Sequence, residues 1–324
     1  MWGSLRNLFV LLFLLTLVPT VSPAQTSEGS VTPPEIKVTI LGSGAGPPVR
    51  LDRYGPSILV EAGSETLLFD CGRGALIRMT QAGVPLEKIT KLFLTHLHSD
   101  HIVDIPDLLL TPWSGRTARS VPLEVWGPTG TSAMMGHLQK AFEFDIHVRR
   151  DLDEKFSPDG IRVVSHDIKE GTVYEKNGVR VTAFTVDHGP VKPAFGFRID
   201  YAGRSLALSG DTRPSQNLLK FSKGVDVIIH EAVDPDVFRR ATTHHTAAQA
   251  ESIIAHHTTP EQAGEIFTKL EPKLAVFSHA AGGEEMLSKT RKTYSGPLVM
   301  GEDLMVLVIG TGVEVRRPGL EHRK

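Results

Sequence analysis

Short apolar runs alternate along most of this chain with segments in which apolar positions recur every three or four residues. The short runs are rich in Val, Ile, Leu and Phe, and Gly or Pro bounds most of them, which predicts β-strands. The predicted strands are Ile36–Leu41, Ser57–Glu61, Thr66–Phe69, Lys91–Leu94, Leu123–Trp126, Val179–Val186, Phe195–Ile199, Ser205–Leu208, Val225–Ile229, Leu274–Phe277 and Met305–Ile309. The predicted helices are Gly74–Ala82, Pro106–Trp113, Thr129–Ala141, Ser215–Phe221, Thr246–His256 and Pro260–Leu270. This alternation favours an α/β protein whose sheets are sandwiched by helices.

Residues 142–178 have the least regular pattern, and we interpret them as a local hairpin or an excursion from the main fold. The first 24 residues have the pattern of a secretory signal peptide. Arg6 supplies a positive start, Leu8–Val18 is an apolar run of eleven residues, and Ala24 is the last small residue before a cleavage site at Gln25. We therefore expect an exported protein, periplasmic or secreted, with an uncleaved membrane anchor as the alternative.

After the predicted signal peptide, the sequence predicts a tether, one domain and a short tail. Residues 25–35 are polar and contain Pro, which predicts a disordered tether. Residues 36–317 are predicted to form one domain, and residues 318–324 a tail. No second long apolar run follows the signal, so we expect no membrane span after its removal.

Charge and cysteine content restrict the classes of protein that fit. The 35 basic and 37 acidic side chains give a net charge of −2, without the basic excess that is typical of nucleic-acid-binding domains. The single cysteine, Cys71, excludes an intramolecular disulfide and any metal site built on several thiolates. The 14 histidines are the unusual feature, because they are concentrated in a few places.

The densest group of histidines is the segment T-H-L-H-S-D-H at residues 95–101. It follows the predicted strand Lys91–Leu94, and α/β sheets place their ligand sites at such carboxyl ends of strands. His96 and His98 would share one face of an extended chain, whereas Asp100 and His101 lie where the chain turns. Imidazole and carboxylate are normal zinc ligands, and two ions about 3.5–4 Å apart suit hydrolysis. The segment therefore predicts a metal centre.

The segment matches the H-x-H-x-D-H motif, and the chain resembles the metallo-β-lactamase superfamily over roughly residues 36–310. Further elements of that family follow in order, namely Asp70 in LLFDCGRG, His188 in VDHGPVKPAFGFR, Asp211 in LALSGDT and His279 in AVFSH. The resemblance implies an αββα sandwich, two β-sheets flanked by helices, that binds two Zn²⁺ per chain. It implies that the two zinc ions are bound by His96, His98 and His188 on one side, by Asp100, His101 and His279 on the other, and by Asp211 as a bridge. Asp70 would support the ligands rather than bind metal.

Two further elements resemble the branch that contains tRNase Z and the zinc-dependent arylsulfatase and phosphodiesterase enzymes. They are His230-Glu231-Ala232-Val233, where the family has Thr in the last position, and His257-Thr258-Thr259. The resemblance implies Asp100, His257 and Glu231 as catalytic residues, with Glu231 orienting His257 as a proton donor. A position just before a predicted helix leaves helix capping as the alternative for His257.

Two arguments favour a small anionic ester over RNA as the substrate. The predicted signal would carry the protein away from tRNA, and tRNA-processing members carry a long arm between the elements matched by His188 and Asp211. Only 23 residues separate these two positions here. We therefore expect an arylsulfatase or phosphodiesterase with no nucleic-acid partner. The alternatives are a tRNase Z-like endoribonuclease, a lactonase or carboxylic-ester hydrolase, and an exported zinc- or ligand-binding protein; homodimer formation is left open.

Overall fold

Two β-sheets lie within residues 34–115, 118–241 and 245–318, which are the ranges that the computed structural model describes. The predicted signal peptide, the tether up to residue 33 and residues 319–324 of the tail lie outside these ranges, so our interpretation of them stays a prediction. From Pro34 onward the chain forms one compact unit.

The strands are numbered in chain order. They are β1 (Ile36–Gly42), β2 (Ser57–Ala62), β3 (Glu65–Phe69), β4 (Lys91–Phe93), β5 (Leu123–Gly127), β6 (Val163–Asp167), β7 (Gly171–Lys176), β8 (Val179–His188), β9 (Val191–Tyr201), β10 (Arg204–Leu208), β11 (Val227–Val233), β12 (Leu274–Ala281), β13 (Leu298–Met300), β14 (Met305–Ile309) and β15 (Val313–Arg316). The first sheet has the order β15-β14-β1-β2-β3-β4-β5-β6, and the second has the order β13-β12-β11-β10-β9-β8-β7.

Each sheet is antiparallel at one end and parallel at the other. In the first sheet β3, β4, β5 and β6 run parallel to one another. In the second sheet the parallel part is β10, β11, β12 and β13. Parallel neighbours need crossover connections, and helices supply most of these.

The helices cover the outer faces of the two sheets. They are α1 (Ala75–Gln81), α2 (Ser99–Ile102), α3 (Ile105–Ser114), α4 (Thr131–Ala141), α5 (Glu143–His147), α6 (Pro158–Ile161), α7 (Gln216–Phe221), α8 (Pro235–Ala241), α9 (Ala247–Ile254), α10 (Pro260–Leu270) and α11 (Gly283–Thr290), with a 3₁₀ turn at Leu86–Lys88 and a π-helical turn at Val148–Leu152. Helices α1, α3 and α4 pack on the first sheet, and α7, α10 and α11 pack on the second. This arrangement is the predicted αββα sandwich.

The main core lies between the two sheets. Phe69, Phe93 and Trp126 from the first sheet stack in a row, with ring centroids 5.0 and 4.7 Å apart. Phe197 from the second sheet meets Phe93 edge-on at 5.9 Å. Buried aliphatic side chains from both sheets complete this layer. Burial of this apolar surface is the principal force that holds the two sheets together.

A buried polar group also joins the two sheets. The carboxylate of Glu65, at the start of β3, accepts hydrogen bonds from the hydroxyl of Tyr174 in β7 and from the amide of Asn177, both at 2.6 Å. Its third partner is the cation Lys91 of β4, whose Nζ lies 3.0 Å from Glu65 Oε2. Because Tyr174 belongs to the second sheet, Glu65 fixes the position of β7 against the first sheet.

The structure differs from the prediction mainly in residues 142–178. These residues hold two short helices, a π-helical turn and the strands β6 and β7, which are edge strands of different sheets. The segment therefore crosses from one sheet to the other, and the interpretation as a local hairpin was wrong. The predicted helix at Thr246–His256 ends at Ile254, so His256 and His257 follow the helix. Within the described ranges, we find no helix that is both long and apolar enough to span a membrane.

Candidate metal centre

The predicted site residues meet at one edge of the sandwich, where strands of both sheets have their carboxyl ends. His96 and His98 follow β4 of the first sheet. His188 is the last residue of β8 in the second sheet, and Asp211 follows β10. His279 lies near the end of β12. In the second sheet β8, β10 and β12 run in the same direction, so their carboxyl ends lie at one edge, although His188 and His279 are 91 positions apart.

One group of three imidazoles is formed by His96, His98 and His188. Ligand atoms of these three residues lie within 4.8 Å of one another. The Nδ1 atom of His98 is 3.3 Å from Nε2 of His188. His98 is in extended conformation immediately before α2, so the chain turns directly after it. Asp100 and His101 therefore lie in α2, beside this group of imidazoles and outside it.

A second group is formed by Asp100, His101 and His279. Oδ2 of Asp100 lies 3.2 Å from Nε2 of His279 and 3.6 Å from Nε2 of His101. These three residues also satisfy the distance condition for one ion. The motif residues are therefore divided between two adjacent positions.

Asp211 lies between the two groups. Its Oδ2 atom is 3.8 Å from His96 Nε2 and 3.4 Å from His101 Nε2, and its Oδ1 atom is 3.4 Å from His279 Nδ1. Burial opposes ionisation of this carboxyl, but the neighbouring His279 and His101 side chains lower the pKa of Asp211 well below its usual range. An ionised carboxylate in this position can contact two cations at once.

The residues present fit metal ions. Nε2 of His96, Nε2 of His101 and Nδ1 of His279 are buried nitrogens without a hydrogen-bond partner in the described chain. Burial, together with the neighbouring histidines, lowers the pKa of His96 well below its ordinary value, and burial lowers the pKa of His188 to about 4. Imidazoles with unpaired buried nitrogens, beside carboxylates, are the donor set of a zinc site.

Three of the histidines have their other ring nitrogen occupied, and for His96 this is Nδ1, which lies 3.0 Å from the hydroxyl of Thr95. Asp70 Oδ2 lies 2.8 Å from Nδ1 of His101, and the same carboxylate accepts hydrogen bonds from the backbone and hydroxyl of Thr95. Nδ1 of His188 is 3.1 Å from the backbone carbonyl of His256. Such contacts fix the tautomer and leave Nε2 of each ring for the centre. Asp70 thus lies behind His101, a proposed ligand.

His257 and Glu231 form a buried pair beside the centre. Nδ1 of His257 is 3.2 Å from Oε2 of Glu231, within ion-pair distance. Burial opposes the charge on the imidazole, but the Glu231 carboxylate outweighs it and raises the pKa of His257 to about 9. The other oxygen of Glu231 accepts hydrogen bonds from the backbone N–H groups of Thr212 and Thr258. The side chain of Thr259 caps α10, so helix capping does not explain His257.

Sequence reasoning missed the residues that hold this pair. The hydroxyl of Thr258 donates to the carbonyl of Thr212 at 2.5 Å, which ties the segment after α9 to the turn after Asp211. Both threonines stand in elements that we had recognised, next to Asp211 and His257 respectively, so the signal was present. The loop between β1 and β2, which borders Asp100, was also missed, and no motif marked it.

The comparisons with known proteins agree with this fold and site. The family model described as "Beta-lactamase superfamily domain" matches residues 65–280. Ribonuclease Z from Mycobacterium sp. (strain KMS) is 34% identical over 291 residues, which is 88% of this chain and all of that protein. Ribonuclease Z from Mycobacterium avium (strain 104) is 36% identical over 280 residues, which is 83% of this chain and 96% of that protein.

Solved structures support the same fold. The metallo-β-lactamase fold protein YhfI from Bacillus subtilis superposes with a TM-score of 0.65 at 18% identity, and the match covers 85% of this chain and 99% of YhfI. The short form of human tRNase Z superposes with a TM-score of 0.60 at 23% identity, over 83% of this chain and 98% of that one.

The two sheets, the strand-end centre and these matches together define a hydrolase of the metallo-β-lactamase class. The chain belongs to the metallo-β-lactamase superfamily, in its ribonuclease Z branch.

This membership corrects two expectations about the substrate. The expected arylsulfatase or phosphodiesterase activity on a small anionic ester was wrong, because the relatives at 34–36% identity are ribonucleases Z. The expected lack of a nucleic-acid partner was wrong for the same reason. The relatives favour the alternative, a tRNase Z-like endoribonuclease. Export and cleavage of the signal stay predictions.

Proposed function

We propose that this protein is a ribonuclease of the Z type, which hydrolyses a phosphodiester bond of RNA at a centre of two zinc ions. The observation that carries the proposal is the pair of ligand groups that face Asp211, with the His257–Glu231 pair beside them. The identity to curated ribonucleases Z over most of the chain supports the choice of RNA as the substrate.

In this proposal, His96, His98 and His188 hold one ion, and Asp100, His101 and His279 hold the other. Asp211, whose two carboxylate oxygens face both groups of ligands, would serve both ions. When bound, the two ions would supply an activated water as the nucleophile and offset charge on the phosphate oxygens. Six of the seven proposed ligands are buried or half-buried, and hydrogen bonds to His101 and His188 would hold these rings in place before substrate arrives.

The chain itself supplies the proton for the leaving oxygen. His257 is held charged by Glu231, and its imidazole faces the centre, with its ring centroid 5.1 Å from that of His188. It is therefore placed to donate a proton to the ribose oxygen that leaves when the P–O bond breaks. Glu231 keeps the imidazole oriented, because Thr212 and Thr258 fix the carboxylate on its other side.

Local charge supports an RNA substrate even though the net charge does not. Arg53 and Arg73 line the groove between the β1–β2 loop and Asp100, together with Arg50, which is paired with Asp52. Phosphates on either side of the bond to be cleaved would meet these cations. The net charge is a sum over the whole chain, so it does not show that these arginines lie next to the centre.

The test is a cleavage assay with zinc-loaded protein on a precursor tRNA that carries a 3′ trailer. A single-stranded RNA of matched length and a lactone serve as comparison substrates. We expect endonucleolytic cleavage of the precursor, with the products mapped by sequencing. The variant Asp211→Ala should lose zinc and activity together, since its carboxylate serves both ions. Protein that carries two zinc ions and cleaves no RNA, or only the lactone, would contradict the proposal.

A further inference from the structure

Asp303 belongs to none of the recognised motifs. Its buried carboxylate binds both ends of the β1–β2 loop. Its Oδ1 atom accepts hydrogen bonds from the backbone N–H of Ser43 at 2.9 Å and from the Ser43 hydroxyl at 2.7 Å. Its Oδ2 atom accepts from the backbone N–H of Tyr54 at 2.8 Å and from the Arg78 guanidinium at 3.0 Å. The two ends of the loop, at Ser43 and Tyr54, are thus held by one side chain that is 9% exposed.

The Arg78 guanidinium completes this arrangement. It pairs with Asp303 and also stacks over the ring of Tyr54, with its central carbon 4.3 Å from the ring centroid. A further backbone hydrogen bond, from Gly44 N–H to the Tyr54 carbonyl at 2.9 Å, closes the base of the loop. The base is therefore fixed from several sides, and the rest of the loop, residues 45–53, extends from it.

The loop rests directly on two proposed metal ligands. The backbone nitrogen of Gly46 is 3.4 Å from Nε2 of His279. A Cβ atom at Gly46 would lie 2.2 Å from Oδ2 of Asp100, so there is no room for any side chain between the loop and that carboxylate. The same loop, with Arg73 and Asp100, encloses a groove of about 240 Å³.

His279 needs such support because of its backbone conformation. Its φ is +51°, in the left-handed region that residues other than Gly adopt only when the surrounding structure holds them there. The next residue, Ala280, donates its N–H to the carbonyl of Ser43 at 3.4 Å. Ser43 is in turn the residue that Asp303 holds by two hydrogen bonds. A continuous set of contacts therefore runs from Asp303 through Ser43 to His279.

We propose that Asp303 is a positioning residue that holds the Asp100–His279 side of the centre in its metal-binding geometry, through the β1–β2 loop. This inference rests on the proposed two-zinc centre. Loss of Asp303 should disturb only the Asp100, His101 and His279 group, because the other group of ligands is held by other contacts. His96 and His98 follow β4, and His188 ends β8 and binds the carbonyl of His256.

The test is the zinc affinity of the variant Asp303→Asn, measured by competition with a chromophoric chelator. The amide places an N–H₂ group where a carboxylate oxygen accepted bonds, so one of the two donor pairs loses its acceptor. Wild-type protein should bind two zinc ions tightly. The variant should keep one of them, and its affinity for the second should fall by about 10–100-fold, as for other residues that support ligands. Adding His98→Ala to the variant should remove the remaining tight zinc.

Asp226→Asn is the matched control. Asp226 is also 9% exposed, accepts hydrogen bonds from the N–H and hydroxyl of Ser205, and pairs with Lys273. It precedes β11, at the end of the parallel strands opposite to the centre. This variant should bind two zinc ions as wild type does. Hydrogen exchange at the Ala280 amide of zinc-free protein should be faster in Asp303→Asn and unchanged in Asp226→Asn.

The outcomes separate this inference from the proposed function. If wild-type protein binds fewer than two zinc ions, the proposed function fails. If wild type binds two and Asp303→Asn binds both equally well, or weakens both equally, the positioning role is refuted. Should Asp303→Asn fail to fold, Ser43→Ala removes one of the four hydrogen bonds and should weaken the same ion by a smaller factor. An unchanged affinity in that variant also overturns the inference.

Discussion

His257 faces the centre on one side and Glu231 on the other, so its imidazole is both placed and charged for proton donation. In the proposed reaction, His257→Ala should lower kcat on RNA by roughly 10²–10⁴-fold, which is the usual contribution of a general acid. The zinc content should stay at the wild-type value, because the side chain is outside the proposed ligand set. Single-turnover kinetics and elemental analysis on the same sample check both parts.

A suitable control for this variant is His137→Ala. His137 is exposed on α4, on the outer face of the first sheet, and its removal should change neither kcat nor zinc content. A loss of less than about tenfold for His257→Ala, with zinc retained, would show that the imidazole does not act as the general acid.

At the residue scale, sequence reasoning identified the side chains that carry recognisable chemistry. The seven proposed ligands, including His188 and His279, lie together as the motif order implied. Asp303 was not found, because a carboxylate that binds backbone N–H groups has no sequence pattern of its own. Its partners Ser43 and Tyr54 are about 250 positions away in the chain, and only the fold brings them together.

The junction between β3, β4 and β7 depends on the ionised form of Glu65. Glu65→Gln should lower the free energy of unfolding by about 2–4 kcal/mol at pH 7, because Lys91 loses its buried counter-ion and a hydrogen-bond acceptor is weakened. Burial opposes ionisation of Glu65, but hydrogen bonds from Tyr174, Lys91 and Asn177 outweigh it and lower the pKa. The stabilisation is therefore complete above the unfolded pKa of about 4.3 and is lost as the pH falls through the lower folded value.

Urea unfolding of both proteins at pH 7 and near pH 3.5 measures this dependence. The difference between wild type and Glu65→Gln should shrink at the lower pH. Glu61→Gln, which affects a half-exposed pair with Lys37 on the neighbouring strand, should cost less than about 1 kcal/mol at either pH. An equal loss in the two variants would show that Glu65 does not join the sheets as its contacts indicate.

At the element scale, the strands with strong apolar runs were predicted within a few residues, as for β14, which begins and ends where the pattern predicts. Strand β7 was missed although Asn177-Gly178 follows it with positive φ at both residues, the turn that joins β7 to β8. Strand β6 had no comparable signal. It is a short edge strand without fully buried side chains, so its apolar pattern is weak.

The amino terminus tests the predicted compartment. If the signal peptide is cleaved after Ala24, protein isolated from the extracytoplasmic fraction of its own host should have an intact mass that begins at Gln25. Replacing Ala24 with Leu should prevent cleavage there, because the −1 position requires a small residue. A full-length chain in the membrane fraction would favour the anchor instead.

At the scale of the whole molecule, the substrate was predicted wrongly for a physical reason. Net charge is an average over the surface, whereas recognition of a polyanion depends on cations near the reacting bond. Arg50, Arg53 and Arg73 lie at the groove beside Asp100, and in the described chain only Arg50 has its ion-pair partner, Asp52, in the same loop, whereas the net charge of −2 does not record where these cations lie. The short segment between His188 and Asp211 likewise lacks the long arm, which is one means of contacting RNA. The centre that would cleave the RNA does not depend on that arm.

The burial of Cys71 makes this protein convenient for spectroscopic labelling. It is the single cysteine of the chain, its side chain is fully buried, and burial raises the pKa of its thiol. Folded protein should therefore take up no maleimide, and unfolded protein should take up one per chain, as mass spectrometry would show. A new cysteine at Val49, an exposed position of the β1–β2 loop, would then carry a fluorophore or spin label without competition. Such a probe would report whether the surroundings of this loop change when RNA is added.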